Sequence, residues 1–205
     1  MSDEHPHSSH GSPRKKWLER LSHLFQGEPK DRNDLVEVIQ DAEERDVIDE
    51  DTKEMIEGVL EVSELRVRDI MIPRTQMITI RRDQPVSAFL PMIIRSAHSR
   101  FPVISDDKDH VDGILLAKDL LRYYAEESFD VREMLRPVVY IPESKRLNIL
   151  LRDFRANRNH MAMVVDEYGG VAGLITIEDV LEQIVGDIED EYDFDEEEDN
   201  IIALD

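Results

Sequence analysis

Hydrophobic and polar positions follow the same order twice, over residues 67–127 and again over 128–190. Each copy contains a short apolar strand, a helix with apolar positions three and four residues apart, two strands joined by a polar turn, and a closing helix. The copies also share a leader, because Val67–Pro73 is matched by Val131–Pro137. A unit of this size is small for an independent core, so we expect the two to pack sheet against sheet. The pattern predicts a mixed α/β (α+β) fold made of two strand–helix–strand–strand–helix repeats.

Individual elements can also be placed from this pattern. Strands are expected over 100–104, 161–165 and 171–175, and the repeats close with segments that begin at Gly113 and Gly173. Pro91 falls inside the first helix of the first repeat, where it should kink the helix or delay its start. The closing helices carry apolar residues that we expect to remain for an interface: Leu120, Leu121, Ile184 and Val185. A homodimer is the expected way to cover them.

The segments outside the repeats differ in character. Residues 1–30 consist of a polar tail, with three histidines within 1–13, and a short basic amphipathic helix, which suits a membrane surface, a partner or packing on its own domain. Residues 31–66 predict two acidic helices separated by a turn at 48–52. The acidic residues at that turn either bind a hard cation or stay solvated at the start of the second helix. The sequence identifies no set of metal-binding residues. Residues 191–205 are an acidic tail.

Composition and charge then exclude several kinds of ligand and site for this protein. The chain has 205 residues and a net charge of −22, half of it from eleven acidic residues within 187–205. Such a charge argues against nucleic acid as a direct ligand of the folded domain. The absence of cysteine excludes disulfides and thiolate sites, and no apolar run approaches the roughly 18 residues that cross a bilayer. We expect a cytoplasmic protein, with the inner-membrane surface as a further place of contact.

The last strand of the second repeat is followed by two residues whose side chains are suited to ligand binding. Thr176 directly follows the strand, and Asp179 lies three positions later on the opening turn of an apolar-faced helix. A helix N-terminus favours oxyanions, a threonine can donate to a phosphate oxygen, and an aspartate can accept from both ribose hydroxyls. The same spacing fits a capping box, in which both side chains bond to the backbone of the helix start. In the first repeat Asp119 keeps the carboxylate, but Leu116 stands where a hydroxyl would be needed.

Longer motifs resemble those of one family. They are Ile72-Pro73-Arg74, His98–Val103, His160-Met161-Ala162, Val165–Gly170 and Thr176–Gly186. The repeats resemble a tandem pair of CBS domains, and over about residues 31–192 the chain is similar to the CorC / hemolysin-C family. Because the chain ends at Asp205, where the family usually continues into a small C-terminal domain, the resemblance implies a truncated or shortened member.

This resemblance implies a regulatory module that binds ATP or AMP, with Mg²⁺ as a further cofactor, in a cleft between its halves. The residues that match the family's nucleotide motif are Thr176 and Asp179 in the second repeat and Asp119 in the first. The implied role is in magnesium and cobalt homeostasis or efflux, with a membrane transporter of divalent metals as a partner. No catalytic motif is recognisable, so we expect a binding module and not an enzyme. A different hypothesis is a nucleotide-sensing interaction factor in ribosome or RNA metabolism, whose basic helix from Arg14 to Phe25 contacts the partner.

Further residues are candidates for the same site. The segments 77–79 and 140–142 can supply an apolar slot for adenine, in which Tyr140 either stacks on the ring or is an ordinary core aromatic. Arg100 either holds a phosphate or pairs with a surface carboxylate. The remaining nucleotide-site candidates are Ile141, His160, Met161 and Ala162. For His160 a structural role is the alternative.

Overall fold

The computed structural model describes residues 29–125 and 130–186. The helices are α1 (Arg32–Glu44), α2 (Glu50–Val62), α3 (Val67–Ile70), α4 (Val86–Ser96), α5 (Leu121–Ala125), α6 (Val131–Met134), α7 (Leu147–Asn157) and α8 (Ile177–Val185). The strands are β1 (Ile72–Pro73), β2 (Ile80–Arg81), β3 (Arg100–Ile104), β4 (Val111–Leu116), β5 (Tyr140–Pro142), β6 (Met161–Val165) and β7 (Val171–Thr176), and a 3₁₀ turn (Ala117–Leu120) precedes α5. The predicted basic helix, the tail histidines and the acidic tail lie outside the described residues. Within the described ranges, no helix has the length and hydrophobicity needed to cross a membrane.

The acidic region forms the two predicted helices, α1 and α2. The side chain of Asp31 accepts from the backbone N–H of Asp34 (3.0 Å), and Asp49 accepts from that of Thr52 (2.8 Å). Hydrogen bonds from Thr52, its side chain first and then its backbone, hold the pKa of the Asp49 carboxyl below its usual value. Asp49 thus caps the N-terminus of α2. The chain divides into two units between Lys53 and Glu54, and both repeats belong to the second.

Each repeat builds a sheet with the same pairing pattern. In the first, β2 is parallel to β3 and β3 is antiparallel to β4; in the second, β5 is parallel to β6 and β6 is antiparallel to β7. The strands predicted over 100–104 and 161–165 are observed with those bounds. One buried apolar cluster takes side chains from both sheets: Ile104, Val111, Ile114, Met163, Val171 and Leu174, together with Met77. The predicted tandem α/β architecture, packed sheet against sheet, is confirmed.

The repeats exchange their leaders, which the linear pattern did not predict. Strand β1 of the first repeat pairs with β7 of the second, and Arg136 of the second leader pairs with Ile114 in β4 of the first. The short helices follow their strands. Val67 of α3 is fully buried in the core of the second repeat, and Met134 of α6 is buried in the core of the first. Each core is therefore completed by residues from the other repeat.

Glycine is required where the leaders cross the sheets. A Cβ atom on Gly173 would lie 2.3 Å from the carbonyl oxygen of Ile72, and one on Gly113 would lie 2.6 Å from Cβ of Leu135. Because no side chain fits at such distances, the two glycines allow the exchanged backbones to approach. The repeated glycine near the start of each closing strand thus has a steric cause.

Two expectations about the helices need correction in part. Helix α4 begins at Val86 and continues through Pro91, so the proline does not delay its start, and the alternative, a kink, stays a prediction. Not all of the apolar residues on the closing helices remain for an interface. Leu120 is buried in the first core, because the 3₁₀ turn directs it inward, and Ile184 is partly buried against the second core. Leu121 and Val185 remain exposed.

Candidate functional site

A cavity of about 400 Å³ lies between the two repeats at the start of α8. Its apolar walls include Ile72, Met77, Ile78, Pro102, Met161 and Leu174, and its polar lining includes Arg100, Thr176, Glu178 and Asp179. Small-molecule sites usually have volumes of about 300–1,000 Å³ and combine apolar walls with a few polar groups. The cavity therefore suits a small ligand that carries both a ring and a charged group.

Thr176 and Asp179 form the capping box that their spacing allows. The Thr176 hydroxyl accepts from the backbone N–H of Asp179 (3.2 Å), and Oδ2 of Asp179 accepts from that of Thr176 (2.7 Å). A hydroxyl that accepts one bond still has its hydrogen to donate, and a carboxylate has further acceptor positions on its second oxygen. The two residues can cap α8 and bind a ligand at the same time.

The apolar wall at Met77 is held in place by the polar turn of the first repeat. The ammonium group of Lys108 donates to the carbonyl oxygens of Arg74 (2.8 Å) and Met77 (3.0 Å). Next to it, Asp109 accepts from the guanidinium of Arg74 and from the backbone N–H of Val171 (3.1 Å). The bond from Arg74, and after it that from Val171, lowers the pKa of the Asp109 carboxyl. This turn links the wall of the cavity to the start of β7.

Arg100 pairs with a carboxylate, as one of its two predicted alternatives has it, and the other, a contact with phosphate, stays a prediction. Arg100 lines the cavity, and its Nη1 lies 3.7 Å from Oε1 of Glu178. The same oxygen lies 3.8 Å from Nδ1 of His160, so one carboxylate faces two basic groups. Glu178 was missed by the sequence analysis, although it stands between Thr176 and Asp179 in the motif.

The corresponding region of the first repeat is arranged differently. Oδ2 of Asp119 lies 3.1 Å from Nη2 of Arg136, whose backbone is fixed by two hydrogen bonds to Ile114 (2.9 Å each). Leu116 provides no side-chain cap, and the chain continues into a 3₁₀ turn where the second repeat begins α8 directly. The carboxylate that matches Asp179 is therefore already paired with an internal cation.

The structure brings some of the predicted site residues to the cavity and not others. Thr176, Asp179, Arg100 and Met161 line it, and so does the predicted segment at Met77 and Ile78. Ile141 and Ala162 are buried in the core of the second repeat, so their side chains are committed to packing. Asp119 and His160 lie outside the cavity lining.

Tyr140 is not the core aromatic that one of its alternatives required, and the other alternative, stacking on a ring, stays a prediction. It lies on β5 with 46% of its surface exposed, outside the cavity lining, and its hydroxyl donates to the carbonyl oxygen of Val111 (3.4 Å).

Among the described residues, no three His, Asp or Glu side chains converge as they would around a metal ion.

Comparison with protein families matches both repeats and the acidic helices. The CBS domain model matches residues 67–126 and 129–186, and the model described as the N-terminal region of NMB0537 matches residues 27–62. The magnesium and cobalt efflux protein CorC of Vibrio cholerae is 58% identical over 201 residues, which cover 97% of this chain and 69% of that protein.

Solved structures share the fold and carry ligands. The CBS domain of a bacterial CNNM/CorC family Mg²⁺ transporter in complex with ATP is 42% identical, with a TM-score of 0.62 over 67% of this chain and 99% of that one. A CBS-domain pair with bound AMP from Klebsiella pneumoniae is 29% identical, with a TM-score of 0.53 over 60% of this chain and 99% of that one. Since the CBS model matches both repeats and the identity to CorC extends over almost the whole sequence, this chain belongs to the CorC family of CBS-domain-pair proteins.

Proposed function

We propose that this protein is a regulatory adenine-nucleotide sensor in magnesium and cobalt homeostasis, which binds ATP or AMP in the cavity between its repeats. The observation that carries the proposal is the convergence of a hydroxyl, a carboxylate and a guanidinium on one cavity with apolar walls. The ATP-bound and AMP-bound relatives support it, because they have the same fold. The magnesium and cobalt role rests on the CorC relatives.

The residues of the cavity fit the three parts of an adenine nucleotide. The apolar side chains of Met77, Ile78 and Pro102 suit the adenine ring, which needs an apolar slot. The second carboxylate oxygen of Asp179 can accept from ribose hydroxyls. Phosphate can accept from Thr176 and from Arg100, and the N-terminus of α8 adds a favourable partial charge.

The charge of the protein gives Mg²⁺ a role beside the nucleotide. Two carboxylates, those of Glu178 and Asp179, line the cavity next to Arg100, and the whole chain carries −22. Mg²⁺ commonly binds through substrate phosphates and keeps several waters, so we propose that it arrives with the nucleotide and neutralises its phosphates. ATP, which carries more charge, should depend on Mg²⁺ more than AMP does.

Nucleotide binding regulates only if it favours one state of the protein. A ligand can shift a conformational equilibrium only by its differential affinity for the two states. Because the cavity takes residues from both repeats, a bound nucleotide would favour the arrangement in which the two walls are correctly spaced. We propose that this arrangement is recognised by a membrane transporter of divalent metals.

Calorimetric titration with ATP, ADP and AMP, each with and without Mg²⁺, tests the proposal. We expect one nucleotide per chain, and we expect Asp179→Ala to weaken binding by about 1.5–3 kcal/mol, as for hydrogen bonds to charged groups. The circular dichroism spectrum of the variant must match that of the parent. Unchanged affinity in the folded variant would reduce Asp179 to a helix cap, and a parent protein that binds none of the three nucleotides would overturn the function.

A further inference from the structure

We propose that Glu178 is an internal competitor for the phosphate of the nucleotide. Its carboxylate lies within ion-pair distance of the Arg100 guanidinium, at 3.7 Å, and a phosphate that binds this guanidinium takes the place of the carboxylate. The inference rests on the proposed function and concerns how strongly the site favours phosphorylated over unphosphorylated adenosine. It assigns a role in lowering phosphate affinity to a residue that neither caps the helix nor matches the Thr176–Asp179 pair.

The geometry places the competitor inside the site. Glu178 and Arg100 both line the cavity, with Oε1 and Nη1 3.7 Å apart. Among the cavity-lining residues that the structure describes, Arg100 is the one with a permanent positive charge. A phosphate and the Glu178 carboxylate are both oxyanions, so they compete for the same planar donor.

The solvent exposures of the two side chains indicate which oxyanion, carboxylate or phosphate, binds Arg100 when both are present. The side chain of Arg100 is 24% exposed and that of Glu178 is 60% exposed. An ion pair with so much solvent contact is weak and screened by salt, so its carboxylate can return to water at little cost. A phosphate brings more charge and can accept two parallel hydrogen bonds from one guanidinium. Phosphate therefore displaces Glu178, but its affinity is reduced by the pair that it breaks.

The pair also connects the two repeats. Arg100 begins β3 in the first repeat, and Glu178 lies on the first turn of α8 in the second. Exchange of Glu178 for a phosphate replaces this link with one made through the ligand. Adenosine has no group that could do so and leaves the pair in place.

A double-mutant cycle with two ligands tests the competition. AMP and adenosine are titrated by calorimetry at low salt into the parent, Glu178→Gln, Arg100→Gln and the double variant. We expect Glu178→Gln to tighten AMP binding by about two- to fivefold, in line with a weak surface pair, and to leave adenosine unchanged. Arg100→Gln should weaken AMP alone. In the double variant the gain from Glu178→Gln should disappear, since no guanidinium remains to be released.

Glu182→Gln is the matched control, because Glu182 is an exposed carboxylate on the same helix and is not among the residues that line the cavity. An equal gain in AMP affinity in this control would mean that carboxylates near the site repel the phosphate in general. A gain from Glu178→Gln that persists without Arg100 would mean the same, and either result would overturn the competition. Weaker AMP binding by Glu178→Gln would overturn it too, since Glu178 would then assist the ligand. These outcomes leave the proposed function intact. Failure of the parent to bind either ligand would overturn the function and this inference together.

Discussion

At the scale of single residues, Thr176 and Asp179 show that a structural and a functional role need not compete. Each accepts a backbone N–H at the start of α8, and each lines the cavity. The threonine hydroxyl keeps its hydrogen, and the carboxylate keeps an oxygen. The sequence spacing fits the cap and the binding site equally, because both require a hydroxyl at the helix start and a carboxylate three residues later.

The cap can be measured separately from binding. We expect Thr176→Val to lower the free energy of unfolding by about 1 kcal/mol in urea without nucleotide, because the valine cannot accept the N–H of Asp179. Thr176→Ser keeps the acceptor and should stay close to the parent. Equal stability of the valine variant and the parent would show that this hydrogen bond adds nothing to the helix.

The carboxylates of the two repeats should differ in importance. Asp119 is paired with Arg136 at 3.1 Å and lies outside the cavity, whereas Asp179 lines it. We therefore expect Asp119→Ala to change adenine-nucleotide affinity less than Asp179→Ala does, as measured by calorimetry. A titration that finds two equal sites per chain would contradict this ranking.

At the scale of elements, the sequence predicts the helices and strands whose bounds follow from local hydrophobic patterns. Strands β3 and β6 were predicted with their observed bounds, since each is a short, mostly apolar run between polar residues and a polar turn. The exchange of leaders was not predicted, because which sheet edge receives β1 depends on tertiary packing. The Arg100–Glu178 and Asp119–Arg136 pairs were missed for the same reason: each joins residues far apart in the chain.

Pro91 gives a test of helix energetics. It lies in the interior of α4 and is exposed, so it removes one helical hydrogen bond without a packing role that would offset the loss. A proline in a helix interior is about 3 kcal/mol less favourable than alanine, while its rigidity in the unfolded chain returns about 0.4–1 kcal/mol. We expect Pro91→Ala to raise the free energy of unfolding by about 2 kcal/mol in urea.

The control for this prediction is in the second repeat. Arg152 is exposed at the equivalent position of α7, where the helix has no proline. Arg152→Ala should therefore leave stability nearly unchanged. If Pro91→Ala leaves the free energy of unfolding unchanged or lowers it, the proline does not destabilise α4 in this protein.

At the scale of the whole molecule, the two repeats are parts of one structure. Each core contains a helix from the other leader, and a third cluster joins the sheets. Apolar surface nevertheless remains on the helices that follow the closing strands: Leu121, Leu181 and Val185 are 73%, 38% and 44% exposed. Exposed apolar residues on corresponding helices of a pseudo-symmetric pair suit a two-fold interface, in which the same surface is used by both copies.

We expect this surface to form a homodimer, and light scattering at micromolar concentration tests it. The dimer mass should persist at moderate salt, because an apolar interface is only weakly screened. The double variant Leu121→Ser/Val185→Ser should have the monomer mass, whereas Ile94→Ser, which removes an equally exposed residue (70%) from α4, should remain dimeric. A monomer mass for the parent, with and without ATP, would exclude the dimer. Nucleotide would then act within one chain, through the spacing of the two cavity walls.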